Sequence, residues 1–172
     1  IVSSDSKFDK VKRGEAQFTE IEKRGEALAT SETGDCFVHC HDPRSPGSKL
    51  ILANNGLSTL SDATDLGRFE VTDDAANMLQ FKAPSLRNMS FSGPYMHDGR
   101  FESLADVLAH YVQGVKASPT LNGVMYQGDS TVVGGPLGMN LTSQQQQEIV
   151  AYLKTFDDPT FISNPAYSDP NK

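Results

Sequence analysis

The chain has 172 residues, of which 37% are hydrophobic and 22% charged, and it carries a net charge of −7 at pH 7. That composition excludes wholesale disorder, and the sequence contains no run of about 18 apolar residues that could form a membrane-spanning helix. The acidic balance argues against nucleic acid, whose phosphates need a basic footprint, and suits a basic partner.

The first residues, "IVSSDSKFDK", show neither Met nor an apolar signal core, so the chain is read as a processed mature protein or a piece of a longer one. Residues 1–17 read as an amino-terminal extension. "TEIEKRGEAL" then places Thr19 as an N-cap with Glu22 three residues on, a capping box, and puts Phe18, Ile21, Gly25 and Leu28 on one helical face. Residues 42–70 carry Pro43, Pro46, Gly47, Asn54, Asn55, Gly56 and Gly67 without a sustained period and read as a long loop. In "SLADVLAHYVQGV", Ser103 is the N-cap and Asp106 the reciprocating residue. Leu104, Val107, Leu108, Tyr111, Val112 and Val115 follow the helical spacing, which turns His110 off the buried stripe. Residues 116–140 are a second glycine-rich loop. "TSQQQQEIVAYLKTF" starts a third helix at Thr142 with Gln145 opposite, its stripe being Ile149, Val150, Leu153 and Phe156. Residues 157–172 look like an extended carboxy-terminal strap, and no strand pattern stands out. The whole reads as one mostly α domain over 1–172. Loops this long in a compact domain call for an anchor, and a large buried ligand would supply one.

The two cysteines of the chain lie in "GDCFVHCHDP". A disulfide between Cys36 and Cys40 would close a very short loop, stabilise little, and leave His41 unexplained. A zinc ion would need a distant ligand such as His97 or His110, because neighbours among Cys36, His39, Cys40 and His41 point apart. Covalent haem needs two thiols for the two vinyl groups and an imidazole directly after the second thiol. Cys36, Cys40 and His41 meet that order with one residue more than the usual Cys-x-x-Cys-His. His39 reads as an exposed spacer.

A second block, "FKAPSLRNMSFSGPYMHDGRFESLADVLAHY" (81–111), together with "RGEAQFTEIEKRGEAL", "GRFEVT" and "IVAYLKTF", resembles the bacterial di-haem cytochrome c peroxidase and MauG family. The resemblance runs from about Phe8 to Asp169 and is to the carboxy-terminal, electron-transferring half of that family. It implies a cytochrome c-like domain whose long loops wrap one covalent haem c. It also implies transfer of electrons between a small redox protein and a second haem domain or subunit, and export to the periplasm. The chain has no Trp, so the tryptophan that lies between the haems of relatives is not on it. Peroxidase or MauG-like oxidase activity at an open iron site is the alternative, and a binding module with haem as its structural core is a third reading.

His41 is the expected proximal ligand of the iron. On chemistry alone the distal ligand would be Met96, since thioethers serve electron-transfer haems. The resemblance points instead to Tyr111, at the end of the following helix, where the MauG branch places a tyrosine and the peroxidase branch a methionine. Arg68 and Arg87 are candidates for the haem propionates, with fold-fixing pairs as the alternative. His97, in "MHDG", is a pocket-shaping candidate. Relatives hold calcium between their two domains, and the carbonyls of Ser92 and Pro94 match two of its ligands, a half-site only.

Overall fold

Four short polar residues decide where the main helices begin. A computed structural model describes residues 3–41, 51–127 and 135–169. Within it Ser6, Thr19, Ser103 and Thr142 each accept a hydrogen bond from the N3 amide, and each N3 side chain returns one to the cap amide. Two orphan donors per helix end are thereby satisfied. The helices that follow are α1 (Lys7–Lys12), α2 (Glu20–Ala29), α4 (Leu104–Ala109) and α5 (Ser143–Leu153). The mostly α class holds.

Three expectations are corrected. The 42–70 stretch read as loop carries a short strand, β1 (Leu52–Ala53), which pairs antiparallel with β2 (Phe81–Lys82) further on, and its end runs into a single helical turn, α3 (Phe69–Thr72). Strands of two residues are too short to show alternation. The tail is not extended: Asp158 caps α6 (Pro159–Ile162), which has Pro at its first position, and a further turn covers Pro165–Tyr167. The 1–17 stretch contributes α1, whose Phe8 is buried against Phe156 at 4.6 Å between ring centroids. Much of the 42–70 and 116–140 loops lies in the described part, while residues 42–50, 128–134 and 170–172 lie outside it.

The core forms where α2 crosses α5. Gly25 is buried at the crossing, and a Cβ there would run into the Glu148 carbonyl and the Tyr152 side chain. Ile149, Leu153 and Phe156 fill the α5 side, as the stripe predicts, but Tyr152 is buried there where the stripe has Val150, which is only partly buried. On α2 the expected face is only partly buried, since Ile21 is 40% exposed. Arg24 pairs with the buried Glu148 at 2.7 Å, so the two helices are also joined by charge.

Candidate functional site

The segment between the cysteines is held by the core itself. Phe37 is buried and lies edge-on to Tyr152 (6.1 Å) and Phe156 (5.7 Å), which fixes the turn against α5. Cys36–Cys40 form one π-helical turn, closed by the His41 amide donating to the Cys36 carbonyl at 3.0 Å. This explains the spacing. A Cys-x-x-Cys-His segment in an α turn would close with a bond four residues long, and one inserted residue converts it to a bond of five. The insertion widens the turn while both thiols and the imidazole stay on it. The two cysteines are not bonded to each other. Burial, then the nearby Asp35 charge, pushes the Cys36 thiol up to about 12, and its Sγ donates to the Gly34 carbonyl at 3.2 Å.

His41 is oriented by its other nitrogen. Nδ1 lies 2.9 Å from the Pro84 carbonyl oxygen. A carbonyl can only accept, so Nδ1 carries the proton and Nε2 has the lone pair, the tautomer a metal-binding imidazole needs.

The distal candidates come together elsewhere in the chain. Helix α4 widens into a second π turn, His110–Gly114, and Tyr111 sits in it. The Tyr111 carbonyl accepts from Met139 at 2.7 Å, and Gly138, at a positive φ of 82°, leaves the room this approach needs. Met96 has a φ of 72°, a left-handed conformation rare for a long side chain. The amide of Asn55 joins the two: its Nδ2 is 3.3 Å from the Tyr111 hydroxyl and 3.6 Å from the Met96 sulfur. Burial pushes the Tyr111 phenol up to about 12; the Asn55 bond opposes the shift, and the charges of Cys40 and Cys36 add to it.

His110 is buried, contrary to expectation, with its ring 5.7 Å from that of Phe101 and 5.3 Å from that of Tyr111. Its Nε2–H donates to the Asn55 carbonyl at 3.1 Å, and burial lowers its basicity. Asn55 is not among the residues the sequence singles out for a site, and His110 figures there only as a distant ligand for zinc. "NNG" reads as turn punctuation, and nothing local to it shows that one asparagine meets residues 41 and 56 positions away.

The remaining candidates separate. His97 stacks on Phe81 with 3.6 Å between centroids and 9° between planes. Arg87 makes a two-pronged pair with Asp9 at 2.7 and 2.8 Å, so of its two readings the structure displays the fold-fixing one. Arg68 is exposed, and its guanidinium has no hydrogen bond or ion pair among the described residues. His39 is 41% exposed in its side chain and pairs with Asp35 at 2.6 Å. Among the described residues, the only cluster of three or more metal-capable side chains is Glu32, Asp35 and His39, which includes neither cysteine. Two thiols, an imidazole of fixed tautomer and a half-buried phenol beside a thioether are the donor types that a covalent haem uses, and in that sense the residues fit the group.

No family model matches the chain. Curated relatives do. Methylamine utilization protein MauG of Methylorubrum extorquens is 30% identical over 169 residues, covering 96% of this chain and 43% of that protein. Cytochrome-c peroxidase IdrP2 of Pseudomonas sp. (strain SCT) is 27% identical, covering 94% of this chain and 47% of that one. The crystal structure of a MauG-like protein associated with microbial copper homeostasis superposes with a TM-score of 0.78 at 33% identity, covering 99% of this chain and 53% of that one. The diheme peroxidase BthA from Burkholderia thailandensis matches in fold alone, with a TM-score of 0.68 at 19% identity. The chain spans about half the length of the relatives it matches.

The fold is thus that of a c-type cytochrome domain. More particularly, the chain belongs to the family of di-haem cytochrome c peroxidases and MauG proteins.

Proposed function

We propose that the chain is the carboxy-terminal, electron-transferring domain of a di-haem protein of this family, with one haem c attached at Cys36 and Cys40. The observation that carries the reading is a single turn bearing two thiols and an imidazole whose tautomer is set by Pro84. When bound, the haem supplies a reversible one-electron iron couple.

The chain's own residues do the rest. His41 binds through Nε2, and the Pro84 carbonyl raises the basicity of that nitrogen. Tyr111 serves as the second ligand, and its hard, anionic oxygen favours ferric iron and a low potential. Met96 in its place would favour the ferrous state. Phe37, Tyr152 and Phe156 keep water from the turn. Arg68 is the arginine this reading assigns to a propionate. The electron comes from a small redox protein and passes to a second haem domain or subunit. Calcium enters only through a site shared with that domain, at the Ser92 and Pro94 carbonyls. Attachment of haem c requires export, which places the protein in the periplasm or otherwise outside the cytoplasmic membrane.

The test is a pair of variants and a rate. Tyr111→Phe should change the spectrum of the oxidised protein, and Met96→Ala should leave it close to the parent's. The reduced domain should pass electrons to an external acceptor yet react slowly with peroxide. An unchanged Tyr111→Phe spectrum contradicts the ligand assignment, and rapid turnover with peroxide assigns an enzyme with an open iron site instead.

A further inference from the structure

We propose that Asn55 is the positioning residue that selects tyrosine over methionine as the distal ligand, an inference that rests on the haem reading above. One amide group touches both rivals, at 3.3 Å from the Tyr111 hydroxyl and 3.6 Å from the Met96 sulfur. The two contacts differ in kind. An N–H donated to a phenolate oxygen is charge-assisted, whereas a thioether is a weak acceptor whichever state it is in. The Asn55 amide therefore stabilises the ionised, ligating form of Tyr111 and gives Met96 no comparable gain. A phenolate that accepts one N–H retains lone pairs for a metal, so the contact does not compete with ligation.

The amide is held where this requires. His110 grips the Asn55 carbonyl through Nε2 at 3.1 Å. On one side, buried Asn54 donates to Ser118 and Thr120 at 2.8 and 3.0 Å and accepts from the Gly56 amide at 2.9 Å. On the other, the Gly56 carbonyl accepts from Lys116 at 2.8 Å, at a positive φ of 70° where a Cβ would strike Val115. The backbone around Asn55 is thus fixed from both neighbours and from beneath, while its side chain is left to the two candidate ligands. Tyr111 and His110 lie on the same π turn, so the residue that orients Asn55 is the chain neighbour of the residue Asn55 serves. A side chain kept in place this way acts as a preorganised donor.

The experiment uses the haem-loaded protein and compares Asn55→Leu, Asn55→Asp and Asn55→Gln with the parent and with Tyr111→Phe. The readouts are the phenolate-to-iron charge-transfer band of the oxidised protein and the reduction potential, with haem content and circular dichroism confirming that each variant is folded. Asn55→Leu removes the donor and Asn55→Asp replaces it with an acceptor that repels phenolate. Both should lose most of the phenolate band and move the potential upward, with the balance between tyrosine and methionine ligation shifting on the order of tenfold or more. Asn55→Gln, which keeps an N–H, should recover part of the band. If Asn55→Leu and Asn55→Asp keep the parent's band and potential while Tyr111→Phe loses the band, the selection role is wrong and the ligand assignment stands. If Tyr111→Phe itself keeps the parent's spectrum, tyrosine ligation falls and the role of Asn55 falls with it.

Discussion

The Nδ1 of His41 lies 2.9 Å from the carbonyl oxygen of Pro84, 43 residues further along the chain. The bond ties the end of the cysteine turn to the "KAPSLRN" segment and fixes which imidazole nitrogen bears the proton. It works only if the turn delivers His41 at the right pitch, and the π turn does that despite the extra residue.

Deleting His39 tests this account of the spacing. The deletion leaves Cys-Phe-Val-Cys-His, which an α turn can close with the ordinary four-residue bond. Phe37, the residue that pins the turn, is retained, and the residue removed is the half-exposed one. Covalent haem incorporation should equal or exceed the parent's. Loss of incorporation in a folded variant would show that the wide turn itself is needed.

Gly25 sets the distance between α2 and α5. Gly25→Ala places a methyl group against the Glu148 carbonyl, which is backbone and cannot rotate away. Overpacking of this kind costs about 1–3 kcal/mol, more than the helix propensity gained from alanine. Urea unfolding of the two proteins measures the difference, and a neutral or stabilising result would mean that the helices part without cost.

Arg87 and Asp9 form a pair whose members are 20% and 13% exposed in their side chains, joining α1 to the segment that follows Pro84. Burial pushes the Asp9 carboxyl up, but its bonds from Arg87 and Ser6 outweigh this and hold it below its usual range. Arg87→Ala and Asp9→Asn should each cost about 1–3 kcal/mol of stability, and the double variant little more than either alone. The optical spectrum and potential of the haem-loaded protein should not move. A shifted potential in Arg87→Ala, absent in Asp9→Asn, would return Arg87 to the propionates.

The caps, the helical stripes and the cysteine turn were legible in the sequence because each is written within a few residues of itself. A capping box needs two residues three apart, and a stripe needs only its own period. What stayed hidden depends on distant partners. Asn55 looks like any residue of a turn until Met96 and Tyr111 are beside it. His110 falls outside the stripe on the helical period, yet it is enclosed by partners the period does not show, the Asn55 carbonyl and the Phe101 ring. Arg87 could be named as a fork for a carboxylate, but the carboxylate proved to be on α1. Ile21 follows the helical period and still emerges exposed, since α5 covers only part of that face.

Asp158 links the carboxy-terminal turns to the start of the chain. Burial pushes its carboxyl up, yet bonds from Thr160, the Asp5 and Phe161 amides and Ser3 outweigh this and hold it at about 2. A carboxyl lowered on folding contributes stability above its unfolded value of 3.8, and the contribution fades as pH falls toward about 2. The denaturation midpoint of the parent should therefore fall through that window, and Asp158→Asn should be less stable at neutral pH with a flatter profile below about 4. Parallel profiles for the two proteins would remove Asp158 as the source.

The proposed function rests on a haem joined covalently to Cys36 and Cys40. Intact mass spectrometry of the purified protein, after acid unfolding and extraction of any loose pigment, measures it most directly. The expected mass is that of the polypeptide plus one haem, with neither thiol open to alkylation, and it falls to the bare chain when both cysteines are replaced by serine. A colourless chain of polypeptide mass with both thiols alkylated would contradict it.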